Sequence, residues 1–315
     1  MSSKALLVMG NQILPAEILL LEHHFDVIHL WKESDPEAVL QARKNDIVAI
    51  ASAYFVPVSR TLIEALPNLE IISQFAVGTD NIDLEAAKER GIAVTNTPEV
   101  LTDDTADIAL SLFLALTRRI CEADMYVRLD QWRLNSPPPL GRSPKGKRAG
   151  IVGMGRIGQA IAARLEPFGL KIAYHGPRKK EAIPYYYEPD LHKMAENSDY
   201  LILACPGGAQ TRHLVNGPVL EALGPEGFLI NVARGSVVDE EALVTALVEK
   251  KIAGAGLDVY AAEPAVPKEL VKMDNVVLLP HIGSATQETR TIMGQLVVKN
   301  LLAHFNGDPL LTPVI

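Results

Sequence analysis

The sequence is short of cysteine and of basic charge, and each shortage excludes something. Its two cysteines, Cys121 and Cys205, lie far apart in the chain, so no disulfide framework is expected and a reducing cytoplasm fits best. Neither they nor the histidines fall at the spacing of a zinc ligand set, so no metal is expected. Lysine and arginine total 30 against 38 acids, a formal net charge of −8. Basic residues gather only at Arg142 to Arg148 and at Arg178-Lys179-Lys180. That balance argues against nucleic-acid binding, which depends on neutralising phosphates. No apolar run approaches the roughly 18 to 20 residues of a membrane span. Met1-Ser2-Ser3-Lys4-Ala5 leads straight into a short strand pattern and not into a secretory signal. A soluble protein with no membrane partner is therefore expected. Low-complexity tracts and solenoid repeats are missing too.

What is present is apolar material for two cores: 315 residues, 48% of them hydrophobic. Short β-branched runs at Ala5–Met9, Asp46–Ala51, Leu69–Phe75 and Ile92–Thr95 read as buried strands. Between them Pro15–Glu22, Pro36–Arg43, Ser59–Leu66 and Leu84–Glu89 carry helical spacing. A long helix is expected from about Asp103 to Leu129, capped by Thr102 or Asp103, with its acids in the first turns where the helix dipole favours them. The stretch 135–141, rich in proline, interrupts regular structure. From Arg148 the alternation resumes, with strands at Ala149–Val152, Lys171–Tyr174, Tyr200–Ala204, Phe228–Val232, Gly256–Val259 and Val276–Leu279. Gln287–Phe305 reads as a closing helix. Strands alternating with helices imply an α/β fold with parallel sheets, built twice.

Gly153-Met154-Gly155-Arg156-Ile157-Gly158 directly follows a strand and opens the helical pattern Gln159–Phe168. In that context the three glycines read as a dinucleotide-binding turn: Gly153 for the tight bend, Gly155 for close approach of a pyrophosphate, Gly158 for helix–strand packing. Arg156 and Ile157 begin the helix whose N–H groups face the phosphates. An NAD site places an acid at the end of the second strand to hold the ribose. Here Tyr174-His175-Gly176-Pro177-Arg178-Lys179-Lys180 stands there instead. Arg178 and Lys179 suit a 2′-phosphate, so NADPH is the expected cofactor, with NADH possible, and His175 and Gly176 line the same edge.

Three late residues follow strand ends, where open α/β sheets hold their ligands. Arg234 comes after Phe228–Val232, Glu263 after the strand ending at Val259, and His281 after Val276–Leu279. Hydride reduction of a 2-oxo acid develops negative charge on the carbonyl oxygen, and histidine can neutralise it with a proton. A carboxylate on its other ring nitrogen fixes the tautomer and stabilises the imidazolium, as in a catalytic triad. An arginine polarises the carbonyl and binds the substrate carboxylate. The turn Phe75-Ala76-Val77-Gly78-Thr79-Asp80-Asn81 offers consecutive N–H groups suited to a carboxylate.

These stretches resemble the D-isomer-specific 2-hydroxyacid dehydrogenases. The likeness runs nearly end to end, through Val77 to Asp83, Val94-Thr95-Asn96-Thr97-Pro98, the glycine motif, Asn231-Val232-Ala233-Arg234-Gly235, Gly256-Leu257-Asp258-Val259 and Pro280-His281-Ile282-Gly283-Ser284. Residues 101–107 and 307–315 look most like glyoxylate/hydroxypyruvate reductases and plant hydroxyphenylpyruvate reductases. The resemblance implies D-stereochemistry, a homodimer, and Arg234, Glu263 and His281 in the roles just given. It implies substrate carboxylate binding at the Val77 and Gly78 amides. It places Thr105 at the cofactor phosphates, Asp258 and Ser284 near the nicotinamide, Cys205 and Pro206 near the adenosine, and Val232 among the cofactor contacts. It also implies that the cofactor domain, 100–287, is inserted into a flavodoxin-like substrate domain, 1–99 with 288–315, and carries a dimerisation segment at about 103–145. One departure stands out. NADP-preferring relatives commonly place arginine where this chain has Pro177. Tyr54 and Phe55, in a loop expected to face substrate, add bulk that suits a larger side chain. Reduction of hydroxypyruvate and glyoxylate is the leading expectation, with 2-ketogluconate or an aryl pyruvate as alternative substrates. A nucleotide-sensing co-regulator is the reading from another class.

Overall fold

The computed structural model describes residues 4–134, 137–138 and 140–315. By its internal contacts the chain divides into two compact units, Met1–Leu101 with Ala285–Ile315, and Thr102–Ser284. In the first, β1 (Ala5–Val8), α1 (Pro15–His24), β2 (Asp26–His29), α2 (Pro36–Arg43), β3 (Ile47–Ala53), α3 (Arg60–Ala65), β4 (Ile71–Phe75), α4 (Leu84–Glu89) and β5 (Ala93–Thr95) follow in order. The five strands pair in parallel in the order β2-β1-β3-β4-β5, the flavodoxin-like arrangement. β1 and β4 are buried along their whole length, as expected of strands covered on both faces. The short helices are held at their starts by side chains: Asp35 accepts from Ala38, Ser59 from Leu62 and Asp83 from Ala86.

The second unit opens with α5 (Thr102–Arg118) and α6 (Ile120–Arg128). The single helix expected over 103–129 is thus two. Arg119 sits in the left-handed region at φ 53° and breaks it, and an Arg119–Glu122 ion pair caps the new start. No glycine or proline marks the break. Thr102 is itself the first helical residue and does not precede α5 as a cap. Asn135, Ser136 and Pro139 of the proline-rich stretch lie outside the described residues. The chain continues through β6 (Arg148–Val152), α7 (Arg156–Leu165), β7 (Lys171–His175), β8 (Tyr186–Tyr187), α8 (Leu191–Glu196), β9 (Tyr200–Leu203), α9 (Gly217–Leu223), β10 (Phe228–Asn231), α10 (Glu240–Val248), β11 (Gly254–Leu257), α11 (Lys268–Val271) and β12 (Val276–Leu278). Their parallel sheet runs β12-β11-β10-β9-β6-β7-β8, the order of a dinucleotide-binding fold with one extra strand. The buried face of α5 (Thr105, Ala106, Ala109, Leu112, Phe113, Leu116) recurs at helical spacing, and it packs on α7 and on β10 to β12. The chain then returns to the first unit with α12 (Gln287–Asn306), capped by Thr286, which packs on β4 and α1.

Candidate active site

At the end of β6 the three glycines occupy three different environments. Gly153 has φ 96°, and a Cβ there would lie 2.6 Å from the Cys205 backbone. A Cβ on Gly158 would lie 2.1 Å from the Gly153 carbonyl oxygen, so α7 packs directly on the turn that precedes it. A Cβ on Gly155 would have no atom within 4 Å. Two glycines therefore shape the turn and the middle one leaves it open, as a pyrophosphate requires. Arg156 and Ile157 begin α7, whose first N–H groups have no partner within the helix. The residues fit a dinucleotide, and its location at the β6/β9 divide is the topological switch point of the sheet.

Beside this turn β7 ends at His175, whose Nδ1 lies 2.9 Å from the Glu188 carbonyl. Tyr187 donates to the Gly176 carbonyl. Arg178 and Lys179 are exposed, with Lys179 only loosely paired to Glu181 at 3.9 Å. No acid stands where an NAD-binding strand carries one.

The three candidate residues, Arg234, Glu263 and His281, follow three neighbouring strands, β10, β11 and β12. His281 Nδ1 lies 2.6 Å from Glu263 Oε2, with side chains 22% and 9% exposed. The other oxygen, Glu263 Oε1, accepts from the Tyr260 N–H at 2.9 Å. Both carboxylate oxygens are thereby oriented. His281 itself has φ 54°, a backbone region unfavourable to most side chains. It is held there by Asp258, whose carboxylate accepts from the Ile282 N–H at 2.7 Å and the Gly283 N–H at 2.8 Å. Burial pushes the Asp258 carboxyl up; those two donors and His281 oppose the shift, and Glu263 adds to it. The Thr105 hydroxyl donates to the Gly283 carbonyl at 3.1 Å, bringing the first turn of α5 against the same turn. Ser284, half-buried, ends it.

Arg234 is organised by Asn231, which is buried. Its side chain accepts from the Ala233 N–H and donates to the Arg234 carbonyl. A Cβ on Gly235 would lie 1.9 Å from the Tyr260 carbonyl carbon, so the arginine's turn rests on the backbone that leads to Glu263. Val232 is buried at the end of β10. Cys205 is buried after β9, and burial pushes its thiol up to about 11 against the opposing pull of Arg234. Pro206 is exposed and its carbonyl takes the Thr211 hydroxyl. The first unit carries the remaining candidates at its own strand ends. Val77 and Gly78 follow β4, half-buried, their carbonyls accepting from Asn96 and Gln74 respectively. Tyr54 and Phe55 follow β3 and meet edge to face, centroids 5.9 Å apart.

A family model described as D-isomer specific 2-hydroxyacid dehydrogenase, NAD binding domain, matches residues 110–283. The chain belongs to the D-isomer-specific 2-hydroxyacid dehydrogenases. The glyoxylate/hydroxypyruvate reductase A of Arabidopsis thaliana is 49% identical over 94% of each chain. The hydroxyphenylpyruvate reductase of Plectranthus scutellarioides is 48% identical over the same shares. Among solved structures, the NADPH-dependent glyoxylate/hydroxypyruvate reductase of Sinorhizobium meliloti, in complex with NADP and malonate, superposes with a TM-score of 0.90. It is 44% identical and covers 99% of this chain and 97% of its own.

In this dehydrogenase several supporting residues escaped the sequence reading. Lys180 donates from Nζ to the Met154 carbonyl at 2.7 Å, tying the cationic loop to the glycine turn. Asn231 lies inside a motif already singled out, but its two backbone bonds become visible only in three dimensions. Glu240, at the start of α10, accepts from the Ala261 N–H and steadies the Glu263 turn from outside. Among the described residues no cluster of metal-ligating side chains occurs, and no helix is long and apolar enough to cross a membrane.

Proposed function

We propose that this dehydrogenase reduces small 2-oxo acids to D-2-hydroxy acids with NADPH, hydroxypyruvate to D-glycerate and glyoxylate to glycolate. The observation that carries the reading is the His281–Glu263 pair at 2.6 Å, set on the same sheet edge as the glycine turn. Gly153, Gly155, Arg156, Ile157 and Gly158 would hold the pyrophosphate, with Thr105 beside it. Cys205 and Pro206 would flank the adenosine, and Val232, Asp258 and Ser284 the nicotinamide. When bound, a reduced nicotinamide supplies hydride to the carbonyl carbon. Arg234 polarises the C=O bond and takes a carboxylate oxygen of the substrate. As the π bond breaks, the oxygen takes the proton from His281 Nε2, because Nδ1 faces Glu263. Glu263 stabilises the doubly protonated ring before transfer and keeps Nδ1–H afterwards. The Val77 and Gly78 amides bind the substrate carboxylate. His281 gives up the proton in reduction and takes it back from the hydroxyl in oxidation.

The cofactor preference rests on the cationic loop and the missing acid, and the S. meliloti relative is NADPH-dependent. Arg178→Asp should raise the KM for NADPH at least tenfold more than that for NADH, as expected when a charge-assisted phosphate contact becomes repulsive. Equal changes would discredit the assignment. A panel of glyoxylate, hydroxypyruvate, 2-ketogluconate and 4-hydroxyphenylpyruvate, run with both nicotinamides, tests the substrate. Tyr54 and Phe55, the latter 42% exposed, favour including the aryl acid, as does the P. scutellarioides relative. Binding of NADPH without turnover of any of these would favour a nucleotide sensor over an enzyme. A homodimer is supported by the exposed apolar side chains gathered over 120–140, among them Trp132 at 69% and Leu140 at 85%.

A further inference from the structure

A buried amide relay joins the two parts of the first unit that the proposed function assigns to substrate. Gln74, completely buried in β4, is fully engaged. Its Oε1 accepts from the Ser52 hydroxyl. Its Nε2 donates to the Gly78 carbonyl at 3.2 Å and to Asn81 Oδ1 at 2.7 Å. Asn81 passes the connection on, its Nδ2 donating to the carbonyls of Ala53 at 3.2 Å and Val56 at 3.1 Å. Those two carbonyls bracket Tyr54 and Phe55. On the far side of the turn, Asn96 donates to the Val77 carbonyl at 2.8 Å and the Thr97 N–H to the Ala76 carbonyl at 2.9 Å.

We infer that Gln74 and Asn81 are positioning residues that make the Val77–Gly78 turn and the Tyr54–Phe55 loop a single piece, so that the carboxylate cradle and the side-chain selector move and fail together. The inference rests on the proposed role of Val77 and Gly78. The physical reason is satisfiability. An amide has two donors and one acceptor, and every one of these on Gln74 and Asn81 meets a partner. Holding the Ala76 and Val77 carbonyls from the protein side fixes the peptide planes that carry the Val77 and Gly78 N–H groups, and the Gln74 bond to the Gly78 carbonyl fixes the plane that follows, so the chain is held on both sides of the cradle. A buried network of this kind is stiff because leaving any member unmatched is costly. Supporting shells of this sort decide whether a binding geometry is held tightly enough to work.

Glyoxylate has no side chain to meet an aromatic loop, so its KM reads the carboxylate turn alone. Asn81→Asp keeps the shape but turns an acceptor toward Ala53 and Val56, and the Asn81 side chain bonds to neither Val77 nor Gly78. The expected result is a rise of about tenfold in KM for glyoxylate, given the cost of a mismatched buried group and the sensitivity of binding to small misplacements. Preference between glyoxylate and 4-hydroxyphenylpyruvate should shift in the same variant. KM for NADPH, whose proposed site is in the other unit, should stay within about twofold of wild type, since distant, uncoupled sites respond independently. Ser52→Ala, a milder change that removes only the hydroxyl behind Gln74, should raise the glyoxylate KM by about threefold on the value of one hydrogen bond. An unchanged glyoxylate KM in both variants, with only the aryl substrate affected, would show two independent loops and overturn the inference. So would a parallel loss of NADPH affinity, which marks general damage. Gly78→Pro separates the inference from the reading beneath it, because it deletes a cradle amide directly. If that change leaves the glyoxylate KM untouched, the carboxylate role itself falls. If it raises the KM while Asn81→Asp does not, only the relay falls.

Discussion

At the scale of single residues, the candidate site is a set of side chains each held by a neighbour with no proposed part in the reaction. Glu263 is anchored by the Tyr260 N–H, and His281 by the Asp258 clasp on the two residues after it. Glu263→Gln preserves size and hydrogen bonding at one oxygen but removes the charge that supports imidazolium. It should lower kcat by about 100-fold, the usual scale of a lost acid–base partner. KM for NADPH should change little, and His281→Ala should remove turnover altogether. A Glu263→Gln enzyme with wild-type kcat would refute the pair. Cys205 offers a second test, of burial this time. With its thiol pushed up to about 11, roughly one molecule in a thousand carries the reactive thiolate at pH 8, and that fraction grows tenfold per pH unit up to the pKa. In a Cys121→Ser background, where Cys205 is the remaining cysteine, iodoacetamide should label the native chain negligibly at pH 8 and completely once it is unfolded. Rapid native labelling would mean that the thiol is neither buried nor shifted.

At the scale of elements, the glycine turn shows what a missing side chain does. Gly158→Ala would drive a methyl group to 2.1 Å from the Gly153 carbonyl, forcing α7 away from β6. Destabilisation of about 1–3 kcal/mol is expected for such overpacking, read as a lower melting temperature, with a higher KM for NADPH because the pyrophosphate turn moves too. A stable variant with unaltered cofactor binding would contradict the packing. This motif was fully legible in the sequence, since its spacing encodes its geometry. So were the long buried strands and the placement of Arg234, Glu263 and His281 after β10, β11 and β12. Other elements were silent. β2 holds only Asp26–His29 and β8 only Tyr186–Tyr187; both lie at sheet edges, where partial exposure removes the apolar pattern. The break at Arg119 carries no glycine or proline; there the Arg142 N–H, distant in sequence, takes the Thr117 carbonyl of the last turn of α5. Gln74 could have drawn attention only as a polar residue in an apolar run, and Asn81 only as the end of a turn singled out for its backbone. Their pairing spans loops that sequence distance hides.

At the scale of the whole molecule, the exposed apolar side chains of Ile120, Val127, Leu129, Trp132, Leu134 and Leu140 predict association. Light scattering should give about twice the 34.2 kDa chain mass, as for the commonest symmetric assemblies. Trp132→Asp should shift the equilibrium toward single chains, and a wild-type monomer at micromolar concentration would count against the dimer.

The parallel register of β10, β11 and β12 has a practical corollary. Asn231 pairs with Leu257 and Leu257 with Leu278, so the stems carrying Arg234, Glu263 and His281 are spaced by neighbouring strands about 4.8 Å apart. The ladder serves as a ruler for the proposed chemistry. Residues added at its opposite end, in the connections before Gly254 or Val276, can bulge outward into solvent while the graduations stay put. Evolution and engineers alike have latitude on that rim, and almost none on the other.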